Sequence, residues 1–201
     1  YAERIGGEDV IVENDNPNVQ KFTGYSQLNL LQKIRYTPDA LTNIEYSLHY
    51  STTSDIPRYD RLAAYSDGAL KYATWNYGPQ TWMMHSLAAA LSTPNPLYDN
   101  LRIVAAWQTV DEDRIDRRFG RAEERHREED ISVYSLNADA YRLLDDADRH
   151  RLFYGAEVVL NDVQSGAYSL NINTGARSPE STRYPDGGST MNTFAAYLTW
   201  R

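Results

Sequence analysis

Along residues 26–53 the chain alternates twice between apolar and polar positions, with a turn between the two runs. In SQLNLLQKIRY, Leu28, Leu30, Ile34 and Tyr36 fall on one side, and Asn29, Lys33 and Arg35 on the other. After TPDALT, Ile44, Tyr46, Leu48 and Tyr50 share a face, and Glu45, Ser47 and His49 share the opposite one. Strand side chains point alternately to two faces, so a period of two predicts strands with one apolar side. The pattern returns in TWMMHSLAAALSTP (Met83, Leu87, Ala89, Leu91), whose Ala run also fits a helix. LRIVAAWQTV sets Leu101, Ile103 and Trp107 against Arg102 and Gln108. ISVYSLNADAYRLL sets Tyr134 and Leu136 against Asn137, and RLFYGAEVVLNDV sets Leu152, Tyr154 and Val158 against Glu157. TFAAYLTWR carries Phe194, Leu198 and Trp200 on one face.

Short links (TPDALT, NPLYDN, DDADRH) alternate with long polar stretches at 54–80, 111–130 and 164–191. Residues 1–24 are polar, and NDNPN marks a turn-rich loop there. About seven strands of roughly ten residues, with short turns at one rim and long loops at the other, are the pattern of an outer-membrane barrel. The expected fold is all-β: an antiparallel up-and-down meander forming part of a transmembrane β-barrel. Its lipid-facing positions would be Leu28, Leu30, Ile34, Tyr36, Ile44, Tyr46, Leu48, Tyr50, Leu101, Ile103, Trp107, Leu136, Leu152, Tyr154, Val158 and Leu198. Lumen-facing positions would be Asn29, Lys33, Arg35, Glu45, His49, Arg102, Gln108, Asn137 and Glu157. Water in the lumen would solvate those charges; on the lipid side a basic residue costs about 2–4 kcal/mol at the midplane. The alternative is a soluble antiparallel sheet packed on a core, although globular strands average only about 5–6 residues.

Composition sharpens the picture. Tyr is abundant, with 16 residues against 4 Phe and 4 Trp. A ring with a polar tip suits a boundary between apolar and wet phases. A net charge of -8 argues against nucleic acid, whose phosphates need a basic patch. With 0 Cys, disulfides, thiolate metal sites and cysteine nucleophiles are excluded. No segment reaches the roughly 18 apolar residues of a membrane helix, which leaves strand-built spans open. G-x-S-x-G, Walker A, G-x-G-x-x-G and H-E-x-x-H are all missing, so nothing supports an enzyme.

FTGYSQLNLLQKIRY, HYSTTSDIPRYDRL, YGPQTWMM and LFYGAE, in that order, resemble the barrel of TonB-dependent outer-membrane receptors of Bacteroidetes-like bacteria. The resemblance covers about residues 9–201. It implies a barrel of about 22 strands filled by an N-terminal plug. External loops and plug capture a scarce ligand such as a ferric siderophore, haem, cobalamin or a glycan. The TonB complex then pulls on the plug, driven by the inner-membrane proton gradient. The implied partners are outer-membrane lipid, TonB and a small-molecule metal chelate or similar ligand, with no resident cofactor. Too few strands close such a barrel, neither plug nor TonB-contacting segment is recognisable, and the end reads TWR. The expectation is therefore one partial barrel domain over 1–201, an internal fragment. The alternatives are an outer-membrane structural or adhesion barrel and a soluble all-β binding module.

Ligand contacts are expected in the first long loop. In SDIPRYDRL, Arg58 and Arg61 suit anionic groups such as siderophore oxygens or haem propionates. Tyr59 suits stacking, while Asp55 and Asp60 stand ready to pair with the arginines instead. Trp75 and Tyr77, with Tyr65 and Tyr72, suit a flat or sugar-like ligand or an interfacial girdle. RAEERHREED (121–130) brings His126 close to Glu123, Glu124 and Glu128, but its alternating charge reads as a solvated loop or strand extension. DEDRID (111–116) lacks the Gly and spacing of an EF-hand. No metal site is expected, and the four histidines (49, 85, 126, 150) are scattered.

Overall fold

The computed structural model describes residues 1–145, 149–185 and 187–201. In chain order the elements are β1 (Ala2–Ile5), β2 (Glu8–Ile11), β3 (Gln27–Asp39), β4 (Thr42–Thr53), β5 (Ile56–Pro57) and the single turn α1 (Tyr59–Leu62). Then come β6 (Tyr65–Ser66), β7 (Ala69–Leu70), β8 (Tyr72–Leu91), β9 (Asn100–Arg118), β10 (Glu123–Leu143), β11 (Arg151–Asn171), β12 (Arg177–Pro179) and β13 (Ser189–Trp200). One 9-stranded antiparallel sheet dominates, in the order β12-β11-β10-β9-β8-β4-β3, with β13 also on β11 and β5 also on β8. Because β12 and β13 share one flank of β11, and β5 and β4 one flank of β8, the sheet is seven long strands wide. Each of those strands pairs with its predecessor in the chain, which makes an up-and-down meander.

The register carries the apolar alternation across every strand. One row runs Tyr46, Leu87, Ala105, Leu136, Val158, Phe194; the next runs Ile44, Ala89, Ile103, Ala138, Ala156, Ala196. All sixteen positions expected to face lipid share this face, and all nine expected to face a lumen share the other. Among the described residues no second layer covers the apolar face: Leu28 is 61% exposed, Leu136 50%, Phe194 72% and Leu198 72%. Among the described residues only Leu70, Trp75 and Ala140 form a buried apolar set, so a two-sheet sandwich is not what this chain builds. On the opposite face Lys33 (3.3 Å) and Arg35 (2.9 Å) bind Glu45.

Several expected boundaries shift. The segment at 81–94 is strand as far as Leu91, because β8 is hydrogen-bonded on both flanks and its Ala run pairs with β4 and β9. Polar stretches expected as long loops are largely paired: β8 begins at Tyr72, β9 and β10 extend to a turn at 119–122, and β11 runs to Asn171. Residues 1–24 are more than loop. β1 and β2 pair through Gly6 and Gly7, whose φ of 62° and 89° suit a two-residue hairpin turn. At the short-turn rim, side chains close the backbone. Asp39 accepts from the Leu41 N–H (2.8 Å), and Asn95 accepts from the N–H groups of Leu97 (2.9 Å) and Tyr98 (3.2 Å). DDADRH lies partly outside the described residues, but Asp145 accepts from the N–H groups of Arg149 (2.8 Å) and His150 (3.1 Å).

Gly155 shows how closely the opposite face is packed. Tyr197 lies across it to donate to Asp139 (2.8 Å), and a Cβ there would come 2.5 Å from the Tyr197 ring.

Candidate functional site at the long-loop rim

Beyond the apolar belt, β8 to β11 continue as charged strands. Opposite charges face each other in the rows Asp116–Arg125 and Arg117–Glu124, whereas the four rows nearer the belt set like charges opposite each other: Arg114–Arg127, Asp113–Glu128, Glu112–Glu129 and Asp111–Asp130. Asp116, with 3% of its side chain exposed, accepts from Arg127 (3.0 Å) and Arg125. One register row sets Trp75, Asp116, Arg125 and Ser169 side by side; the row below sets Tyr77, Arg114, Arg127 and Ala167.

DEDRID divides by strand alternation, with Asp111 and Asp113 on the belt face and Glu112 on the other. Across the β9–β10 pair, Asp130 stands opposite Asp111 and Glu128 opposite Asp113 on that belt face. Burial, and then Asp130, pushes the Asp111 carboxyl up; burial, and then Glu128, does the same to Asp113. His126 stacks on Tyr168 at 4.7 Å and bonds Glu124 at 3.0 Å. His49 packs against Trp82, His150 against Trp200, and His85 against Trp107 while bonding the Tyr46 hydroxyl at 2.8 Å. Among the described residues no three metal-ligating side chains converge.

The N-terminal hairpin is strapped onto the β9–β10 turn. Arg117 grips Asp9 through two donors (2.6 and 2.9 Å), and the Gly120 N–H adds a third bond to Asp9 (2.7 Å). Only 1% of the Asp9 side chain and 6% of Arg117 are exposed. Burial pushes the Asp9 carboxyl up, but Arg117 and Gly120 outweigh it and hold Asp9 below the usual carboxylate range.

The expected ligand residues separate into two places. Arg58, Trp75 and Tyr77 come together: the Arg58 N–H donates to the Trp75 carbonyl (2.9 Å), and β5 pairs beside them. The Arg58 guanidinium lies 4.8 Å from the Trp75 ring and 5.7 Å from Tyr77, and forks onto Asp60 (2.9 and 2.6 Å). Trp75 is 8% exposed and meets Tyr77 edge to face at 4.8 Å. Asp60 is held below the usual range by its bond to Arg58. This cluster is the base of a structured loop, with its guanidinium already matched by a carboxylate. Arg61 lies 3.8 Å from the same Asp60.

Tyr59 points to a different feature. A cavity of about 390 Å³ lies between the N-terminal segment and the 59–70 loop. Tyr1, Phe22, Tyr59 and Tyr65 line it, with Asn18 and Gln20. Asx turns shape its N-terminal wall: Asn14 accepts from the Asn16 N–H (3.3 Å) and Asn16 from the Asn18 N–H (3.1 Å), while the Asn14 amide donates to the Val19 carbonyl (2.7 Å). Phe22 holds a φ of 57°, a left-handed conformation that costs a bulky residue about 1–3 kcal/mol. Its edge contact with Tyr1 at 5.5 Å keeps the ring in the wall. Tyr1 and Phe22 are lining residues the sequence did not mark, because the contact spans the chain from residue 1 to the 59–70 loop.

Comparison with protein-family models and with curated proteins finds no match.

Proposed function

We propose that the chain is part of an outer-membrane receptor barrel of the TonB-dependent kind, taking part in energy-coupled uptake of a scarce ligand. The observation that carries this reading is the apolar face. Its rows run unbroken across seven long strands, and none of the described residues forms a layer over it. A contiguous exposed apolar surface of that extent marks an interaction with lipid or protein. A polar opposite face with alternation along every strand suits a lipid boundary on one side and a wet interior on the other. Short turns at one rim and long, charged hairpins at the other match the asymmetry of such barrels.

The test uses single cysteines, since the native chain holds none. Leu136→Cys and Asn137→Cys are neighbours on opposite faces. In outer-membrane vesicles a water-soluble maleimide should label the Asn137→Cys variant and spare the Leu136→Cys variant. Equal labelling of both, or recovery of the protein in the soluble fraction, overturns the reading. Ligand uptake that stops when the proton gradient is collapsed separates transport from an adhesion barrel, which would bind its partner regardless.

A further inference from the structure

We propose that Glu129, Glu112 and Ser165 form a binding site for a hard divalent cation of calcium size. The site lies on the polar face of the sheet, where the belt gives way to the charged rim, and it depends on no part of the receptor reading. One register row sets Gln80, Glu112, Glu129 and Ser165 side by side on β8, β9, β10 and β11. Alternation puts all four side chains on the same face. Residues directly opposite in an antiparallel pair hold their Cβ atoms about 4.5–5.5 Å apart, so the two carboxylates lie within reach of one ion.

The observation that points to an ion is Glu129 itself. It is 4% exposed, and neither of its carboxylate oxygens has a hydrogen-bond partner among the described residues. The Ser165 hydroxyl beside it is likewise buried and unpartnered. A buried carboxylate with no donor is costly, and a like charge directly opposite adds to that cost. The basic side chains of the next row do not relieve it. Arg127 is taken up by Asp116 (3.0 Å). Arg114 ends 3.8 Å from Glu112, beyond hydrogen-bond distance, with its guanidinium over the Tyr77 ring at 5.3 Å. A divalent cation between Glu112 and Glu129 removes both the unpaired charge and the repulsion across the β9–β10 pair.

The donor set is two carboxylates and a hydroxyl, all oxygen. Hard cations take such ligands, and calcium takes them in flexible geometry with water completing its shell. Gln80 steadies Glu112 through a 3.4 Å bond. It also lines a hollow of about 260 Å³ with Thr53 and Trp82, which gives an ion a way in. Glu112, with 32% of its side chain exposed, leaves room for water on that side. The acidic rows on the opposite face lack these features: Asp111, Asp130 and Glu128 are exposed, so water already solvates them.

The complete gene product carrying this sequence, stripped with a chelator, should be titrated with terbium, a calcium-sized ion whose emission is excited through nearby indoles. Trp82 stands two residues from Gln80 on the same face. Sensitised emission is expected, and with only two acidic ligands calcium should displace the terbium at about 0.1–1 mM. Calcium should also slow hydrogen exchange in the β9–β10 hairpin. Glu129→Gln should abolish both responses, and Glu112→Gln should weaken binding about tenfold or more. Asp130→Asn, on the opposite face of β10, should leave both unchanged. Matching circular dichroism checks that each variant folds. Ser165→Ala changes no charge and should weaken calcium binding, which decides the matter if Glu129→Gln does not fold. Calcium responses that survive Glu129→Gln, that are indifferent to Ser165→Ala, or that Asp130→Asn removes overturn the proposal. So does a native protein with no calcium response whose stability rises with Glu129→Gln, the outcome expected if a proton or another segment's guanidinium neutralises Glu129.

Discussion

The same four strands, β8 to β11, are held together in two ways along their length. In the belt half, between Leu101 and Thr109 on β9, one face is apolar and bare, and its stability depends on what covers it. In the rim half, from Asp111 to Arg118, both faces are polar, and the strands are held by ion pairs, ring stacking and the strap of Asp9. The difference teaches that hydrophobic alternation marks where a sheet meets an apolar phase but does not mark where the sheet ends. Backbone pairing runs on through four like-charge rows, from Asp111–Asp130 to Arg114–Arg127, and is anchored beyond them by Asp116 with Arg125 and Arg127 and by Arg117 with Asp9.

Substitutions in the two halves should therefore fail differently. The largest effect is expected in the belt: Leu136→Arg places a charge on the apolar face and should lower stability in bilayers by about 2–4 kcal/mol. Asn137→Arg, one residue away on the opposite face, should cost far less, and urea unfolding in lipid vesicles compares the two. Next comes Gly155→Ala. Its methyl group would collide with the Tyr197 ring and the Ala138 carbonyl, for about 2 kcal/mol of overpacking. Adding Tyr197→Ala to it should recover part of that loss in the same unfolding assay. In the rim, Asp116→Ala strands Arg125 and Arg127, both partly exposed, so about 1.5 kcal/mol is expected. Hydrogen exchange should then rise in the β9–β10 hairpin above Asp111 and stay unchanged in the belt. A global loss would show that the halves are not separate.

The smallest effect is a pH response confined to the rim. The Asp9 carboxyl is depressed in the folded chain, so its contribution is present above the ordinary value of about 3.9 and is lost as pH falls through the folded one. Asp111 and Asp113 are raised, so acid relieves their crowding instead. As pH is lowered below about 3.9, exchange protection should drop in β1 and β2 before it drops in β9. With Asp9→Asn that drop should be missing, because the hairpin is already loose at neutral pH.

The belt half was legible in the sequence and the rim half was not. A period of two in Leu101, Ile103, Ala105 and Trp107 places every side chain from local information alone. In the rim, Glu112, Arg114 and Asp116 alternate with Asp111, Asp113 and Arg117, and a lone Ile115 is too little to make one face stand out. Only once β9 is set against β10 does Asp116 lie opposite Arg125. The Gly-Gly of ERIGGEDV was a readable turn signal, but its flanking strands of 4 residues are too short and too polar to register as strands. Arg58 on Trp75 and Tyr59 near Phe22 depend on the path of two loops, and spacing in the chain does not encode such paths.

Seven is an odd number of crossings. β3 starts beside the end of β4 at the long-loop rim, and β13 ends beside Leu152 at the short-turn rim. A bilayer around the belt would thus leave Tyr1 and Arg201 in different compartments. If the proposed reading holds, a tag before β1 and a tag after β13 should answer antibodies from opposite sides of the same membrane.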